Sequence, residues 1–279
     1  MASFVSLRQA FHASLLDGIL TRSPKGVPSN ADSSSKASCA IASGILEQLG
    51  AIRTAEKLPG QTAGADFETA TARFVEASLG HLAHLRPGTF HVAKGGGIYR
   101  FDQYAHLDDL EAIAKQNREI ATALGSDYLI KPDILVSRSP ASDAEINARG
   151  HLVDDRTATL SSLRGVFQPL DLLHASISCK WTLRSDRAQN ARSEGLNLVR
   201  NRKGRLPHIA VVTGEPLPSR ISSLALGTGD IDCVYHFALT ELRASITALA
   251  DAGYLDMLDM MVEGKRLRDI SDLMLDLVS

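Results

Sequence analysis

The chain has 279 residues, 44 % of them hydrophobic and 22 % charged, which excludes disordered and fibrous classes and allows a sizeable buried core. The formal charge of −2 excludes a uniformly basic protein, although contact with a polyanion depends on how charge is distributed and not on its sum. There is no apolar run long enough for a membrane helix, and the N-terminus has neither a long apolar h-region nor a small-residue cleavage site, so a cytoplasmic protein with no membrane partner is expected.

Cys39, Cys179 and Cys233 are odd in number and lack CxxC spacing, which points to reduced thiols with neither a disulfide framework nor a zinc site. No stretch resembles a linker, so one domain over 1–279 is expected. Phe4, Leu7, Phe11, Leu15 and Ile19 recur at helical spacing and predict a first amphipathic helix. A loop from Pro24 through the polar run 29–35 can cap a second helix with Ile41, Ile45 and Leu49 on its apolar face. Leu58-Pro59-Gly60-Gln61-Thr62 reads as a break before a third helix over roughly 65–86, with Phe67, Phe74 and Leu82 inward. Short extended segments over 89–104 surround the turn Gly95-Gly96-Gly97, which lacks the Lys-Ser/Thr of a P-loop. A helical stretch near 107–124 follows.

Two strands carry the chemistry. The first is 127–136, where Pro132 favours an edge or a bulge. The second is 172–181, followed by a basic helix over about 186–204 and the apolar strand 209–213. From Tyr235 onward the chain reads as mostly helical. Strands interleaved with helices predict an α/β fold, a mixed sheet flanked by helices on both faces.

Hydrolysis of a phosphodiester needs an activated water and neutralisation of developing charge, which carboxylate-held metal ions and a neighbouring lysine provide. Pro132-Asp133 offers an acid. Alternation along the second strand puts Ser178 and Lys180 on one face and Ile177, Cys179 and Trp181 on the other, so Cys179 would offer its main-chain carbonyl, not its sulfur, to a hard cation. This arrangement resembles the PD-(D/E)XK nuclease superfamily with one departure: a serine, Ser178, stands two residues before the lysine where an acid is usual. Glu194, fourteen residues after Lys180 on the next helix, can supply the missing carboxylate, and Glu68 on the third helix is a further candidate. Pro-Asp alone is a common dipeptide, and taken by itself it is better accounted for by a solvated surface aspartate.

The segment from His174 to Asn190, with Ser178-Cys179-Lys180-Trp181 and Arg184-Ser185-Asp186-Arg187, resembles the active-site and recognition block of the NgoMIV-type restriction endonucleases, whose displaced acid gives a K-x13-E pattern matched by Lys180 and Glu194. Similarity extends through 29–32, 58–62, Pro132-Asp133 and 218–222. The resemblance implies metal binding by Asp133, Glu194 and the Cys179 carbonyl, with Lys180 beside the attacking water and Glu68 and Ser178 completing the catalytic set. It further implies that Arg184, Asp186 and Arg187 read a central CCGG in the major groove, that Asp32 and Arg220 read the outer G·C pair, and that Gln61 reaches the minor groove. The implied protein is a Mg²⁺-dependent homotetramer, a dimer of dimers, cutting double-stranded DNA at GCCGGC after the first G.

The side-chain chemistry agrees with these roles. An arginine fork matches guanine O6 and N7, an aspartate accepts from cytosine N4, and an aspartate between arginines can fix their forks by ion pairing. From Lys180 to Arg205 there are eight basic residues against Asp186 and Glu194, enough for a phosphate-binding surface. The competing account of Arg-x-Asp-Arg is an internal salt-bridge cluster on an exposed helix start. Two functional alternatives remain at this level: a catalytically silent DNA-binding protein, and a repair or recombination nuclease of the wider superfamily.

Overall fold

A computed structural model of the protein describes residues 3–50, 53–124, 130–227 and 229–279. In chain order it holds α1 (Phe4–Asp17), α2 (Lys36–Leu49), α3 (Gly60–Leu79), β1 (Phe90–Lys94), α4 (His106–Gln116), α5 (Arg118–Leu124), β2 (Ile134–Arg138) and α6 (Asp143–Ile146). There follow β3 (Leu172–Lys180), α7 (Ser185–Asn201), β4 (His208–Thr213), α8 (Pro218–Ala225), β5 (Cys233–His236), α9 (Leu239–Leu249), α10 (Ala252–Glu263), β6 (Leu267–Asp269) and α11 (Asp272–Val278).

The strands form one six-stranded mixed sheet in the order β1-β2-β3-β4-β5-β6. β1, β2 and β3 pair antiparallel, and β3 through β6 pair parallel. The predicted mixed α/β sheet is therefore present, with helices on both faces. α3 covers the Cys179 face, where Phe67 lies 5.0 Å from the Trp181 ring. α7 covers the Ser178 face and comes so close that a Cβ at Gly195 would sit 2.2 Å from the Asp230 carbonyl oxygen, which restricts this position to glycine. Ile134, Val136, Ile177, Val212 and Val234 are fully buried between these layers. No helix among the described residues is long and apolar enough to cross a membrane.

Several boundaries differ from the sequence reading. α3 starts at Gly60, directly after Pro59, and stops at Leu79, so Gln61 lies in its first turn and not in a break; proline at the N-cap removes no intrahelical bond. The stretch 107–124 is two helices because Asn117 is extended and its Oδ1 accepts the N–H groups of Glu119 and Ile120 at 3.0 and 3.1 Å, starting α5. Of the predicted strand 127–136, residues 127–129 lie outside the described residues. β2 begins only at Ile134 and is an interior strand, paired on both sides. Pro132 precedes the ladder and costs it no hydrogen bond, so neither an edge nor a bulge is needed. The bulge in β2 falls later, between Val136 and Ser137. β5 and β6 were not separated from the C-terminal helices because they are short and β5 is buried throughout, and such strands show no alternation.

Two buried histidines make this fold acid-sensitive. His236 accepts the Ala238 N–H on Nδ1 at 3.1 Å, while Nε2 donates to the Glu215 carbonyl at 3.2 Å. That pattern suits only the neutral ring, since a proton on Nδ1 would face a donor. His174 places Nε2 2.6 Å from the Leu277 carbonyl. Burial lowers both rings to about 4. The unfolded chain takes up protons near pH 6.5 that the folded chain refuses, so stability is full above that pH and is lost as pH falls towards 4, by on the order of 3 kcal/mol per ring. Urea midpoints measured from pH 7.5 to 4.5 should fall steadily below 6.5; a flat profile would contradict this.

Candidate active site

Asp133 enters the site just before β2. Its main chain is held by the Gly95 N–H, which donates to the Asp133 carbonyl at 2.9 Å. Its Oδ2 accepts from the Cys179 N–H at 2.7 Å, the Ser178 hydroxyl at 3.2 Å and Lys180 Nζ at 3.2 Å. Three consecutive residues at the end of β3 thus converge on one carboxylate oxygen, while no donor among the described residues reaches Oδ1. Ser178 and Lys180 share a face as alternation predicts, and Cys179 contributes its main chain. The Cys179 thiol is buried on the α3 side and held far above its ordinary pKa by burial.

Glu194 reaches the same place from α7. Its Oε2 lies 3.3 Å from the Ser178 hydroxyl, which thereby stands between Glu194 and Asp133, and its Oε1 accepts from Asn190 Nδ2 at 3.1 Å. Burial raises the Glu194 pKa, with Lys180 opposing and Asp133 adding to the shift. Glu68 stands on α3 across the cleft; burial and then Asp133 raise its pKa, and Lys94 lies 3.9 Å from its carboxylate. Asp133, Glu68, Cys179 and Lys180 line an open cleft of about 530 Å³ together with Gln61, Asp186, Arg187 and Asn190. Asp133, Lys180 and Glu68 therefore share one cleft with Gln61, Asp186 and Arg187 of the base-reading candidates.

Arg184 is the N-cap of α7, with extended backbone and an exposed side chain. Arg187 Nη1 donates to the Thr182 carbonyl at 3.2 Å and to its hydroxyl at 2.9 Å. Among the described residues Asp186 makes no ion pair with either arginine, so the expected pairing within Arg-x-Asp-Arg is absent. The geometric reason is that Asp186 and Arg187, neighbours on the helix, point about 100° apart, while Arg184 precedes the helix on extended backbone. The same fact removes the salt-bridge-cluster account of this motif.

Asp32 and Arg220 do not line that cleft and are paired with each other. Asp32 also accepts the Ser34 hydroxyl at 2.6 Å and the Ser34 N–H at 3.0 Å, and these bonds with Arg220 hold its carboxyl well below the usual range.

Three participants escaped the sequence reading. Asn190 holds Glu194 from one turn earlier, a helical spacing that was open to detection. Lys94 donates to Thr69 Oγ1 at 2.6 Å and faces Glu68 from β1, a juxtaposition that exists only through folding. Glu215, fully buried, accepts the N–H groups of Leu183 and Leu217 at 2.7 and 3.2 Å.

The sequence profile of a family described as NgoMIV restriction enzyme matches residues 11–279. A curated relative, the type II restriction enzyme NgoMIV of Neisseria gonorrhoeae, is 57 % identical over 280 residues, covering 98 % of each chain. Among solved structures, Bse634I restriction endonuclease is 16 % identical with a TM-score of 0.35, covering 71 % of this chain and 78 % of that one. A crystal structure of the type IIF restriction endonuclease Bse634I with cognate DNA is 12 % identical with a TM-score of 0.36, covering 96 % and 92 %. With a profile match over residues 11–279 and 57 % identity across nearly the whole chain, the chain belongs to the NgoMIV restriction enzyme family.

Proposed function

We propose that this type II restriction endonuclease cleaves double-stranded DNA at GCCGGC, after the first G, by Mg²⁺-dependent hydrolysis that leaves a 5′ phosphate and a 3′ hydroxyl. The observation that carries the catalytic part is the convergence of Asp133, Ser178, Lys180 and Glu194 at the end of β3, beside base-reading candidates on the same cleft.

The donor set fits a hard divalent cation. Carboxylate oxygens of Asp133 and Glu194 crowd one hydroxyl, the carboxyl of Glu194 is pushed towards protonation by burial, and the main chain of Cys179 lies beside them. Among the described residues no three His, Cys, Asp or Glu side chains form a closed ligand cage. Mg²⁺ suits such an open site, since it is commonly held by one or two carboxylates together with water and substrate phosphate. Asp133, Glu194 and the Cys179 carbonyl are its assigned ligands, and the ion supplies charge neutralisation and water activation when bound. Lys180 orients the attacking water and offsets the negative charge of the acids. Ser178 keeps the two carboxylates in register, and Glu68 closes the acidic set from α3.

Arg184, Asp186 and Arg187 read the central CCGG from the start of α7, Asp32 and Arg220 read the outer G·C pair, and Gln61 reaches the minor groove from the first turn of α3. The chain acts as one domain over 1–279, supported by a single core cluster running from Phe11 to Leu277. A palindromic site requires a two-fold protein, and the assembly is a homotetramer of two back-to-back dimers working in the cytoplasm. Asp133, Lys180 and Glu194 are all present and are joined through Ser178 and Asp133, which favours the enzyme over a silent DNA-binding protein. Digestion of a plasmid carrying GCCGGC should give discrete fragments with Mg²⁺ and none with Ca²⁺ or after chelation. Absence of fragments with Mg²⁺, or cutting unrelated to GCCGGC, would defeat the assignment.

A further inference from the structure

The turn Gly214-Glu215 after β4 contacts four segments at this end of the sheet: the end of β3 at Lys180, the start of α7 at Leu183, the loop before Asp32, and α8. The Gly214 N–H donates to the Lys180 carbonyl at 3.2 Å, and the Gly214 carbonyl accepts from Asn30 Nδ2 at 2.9 Å, two residues before Asp32. There is no room for a side chain at 214, since a Cβ would lie 2.6 Å from the Trp181 ring. Glu215 Oε2 accepts the N–H of Leu183, the residue before Arg184, at 2.7 Å. Its Oε1 accepts the N–H of Leu217, the N-cap of α8, at 3.2 Å, and Arg220 Nη1 lies 3.8 Å from that oxygen. Arg220 in turn pairs with Asp32.

We propose that Glu215 is a positioning residue for sequence discrimination: its two carboxylate oxygens fasten the Arg184-Arg187 segment and the Asp32-Arg220 pair to one buried anchor. The inference rests on the base-reading roles proposed above. A carboxylate with no solvent exposure is costly to bury, and capping α8 alone needs no charged group, because a serine or asparagine side chain serves at an N-cap. Two oxygens engaged with two separate chain segments do require a carboxylate. With both clusters on one anchor, displacement of one reader displaces the other, and a wrong outer pair disturbs the contacts to the central pairs.

Glu215→Gln tests this with little change of shape. Glutamine offers one acceptor and one NH₂, so one of the two main-chain N–H groups would meet a donor. Single-turnover cleavage with Mg²⁺ is measured for full-length wild type, Glu215→Gln and Arg220→Ala on duplexes carrying GCCGGC and the outer-pair variant ACCGGT. The expected result is a fall of roughly tenfold or more in the cognate-to-variant rate ratio for Glu215→Gln, within the range a single base pair contributes. Equal slowing on both duplexes, with the ratio unchanged, would show a merely structural role and overturn the proposal. If Arg220→Ala lowers the ratio and Glu215→Gln does not, only the anchoring role falls; if Arg220→Ala leaves it unchanged, the outer-pair assignment falls and takes the anchor with it. Should Glu215→Gln not fold, amide exchange in Arg220→Ala decides: faster exchange at Leu183 supports coupling through Glu215, and unchanged exchange there overturns it.

Discussion

Lys180→Ala is expected to slow single-turnover cleavage of a GCCGGC duplex by roughly 10³-fold or more, at the scale of losing a group that handles the proton or the charge of the transition state. The Lys180 ammonium lies 3.2 Å from Asp133 Oδ2 and is the cation that opposes the rise of the Glu194 pKa. Without it the acids keep their mutual repulsion and the attacking water loses its orienting donor. Binding should survive, because the base-reading candidates lie on other side chains. Measured in Ca²⁺, the affinity of Lys180→Ala for the cognate duplex should stay within about threefold of wild type, a difference well under the 1.4 kcal/mol of a tenfold change. Full cleavage by this variant would remove Lys180 from the catalytic set. Loss of binding together with cleavage would indicate that the variant has lost its fold.

The second large effect is expected at Arg184 and Arg187. Each alanine substitution should weaken cognate binding by about 1–3 kcal/mol, the worth of one bidentate guanine contact, and relax the preference at the pair it reads. Non-specific binding should change little. Arg184 is exposed at the start of α7, and Arg187 is pre-set by its bonds to Thr182, so neither is committed to an internal ion pair that substitution would break. Lysine should not restore Arg187, since a point charge cannot supply the planar fork. Competition binding in Ca²⁺ against duplexes altered at single positions reads this out. A uniform loss across all sequences would assign the two arginines to phosphates.

The half of the candidate site on β3 was legible because a strand has a period of two: once 172–181 is a strand, Ser178 and Lys180 must share a face. Glu194 was legible as a spacing, and the structure adds why it works, since α7 packs back over the sheet through Gly195 and brings the carboxylate within reach of Ser178. The expected ion pairing of Asp186 with its neighbouring arginines failed because adjacency in sequence is not adjacency on a helix. Pro132 misled for a related reason: the rule against proline in an interior strand holds, but the strand begins two residues later.

The sequence by itself determined the elements whose patterns are local: α1 to α3 with their apolar faces, the alternation of β3, the basic start of α7, and the spacing of the candidate residues Lys180 and Glu194. Only the tertiary structure decided which distant groups meet. Asp32 and Arg220, 188 residues apart, pair because the loop before α2 is hung from Gly214 and α8 starts from Glu215. Lys94 meets Glu68 because α3 crosses β1. Glu215 gives no local signal, since a glutamate after an apolar strand reads as the return to solvent. Its burial comes from α7, α8 and β5 closing around the end of β4. Local periodicity follows from backbone geometry within a few residues, whereas these contacts depend on how several elements pack, which no short window of sequence contains.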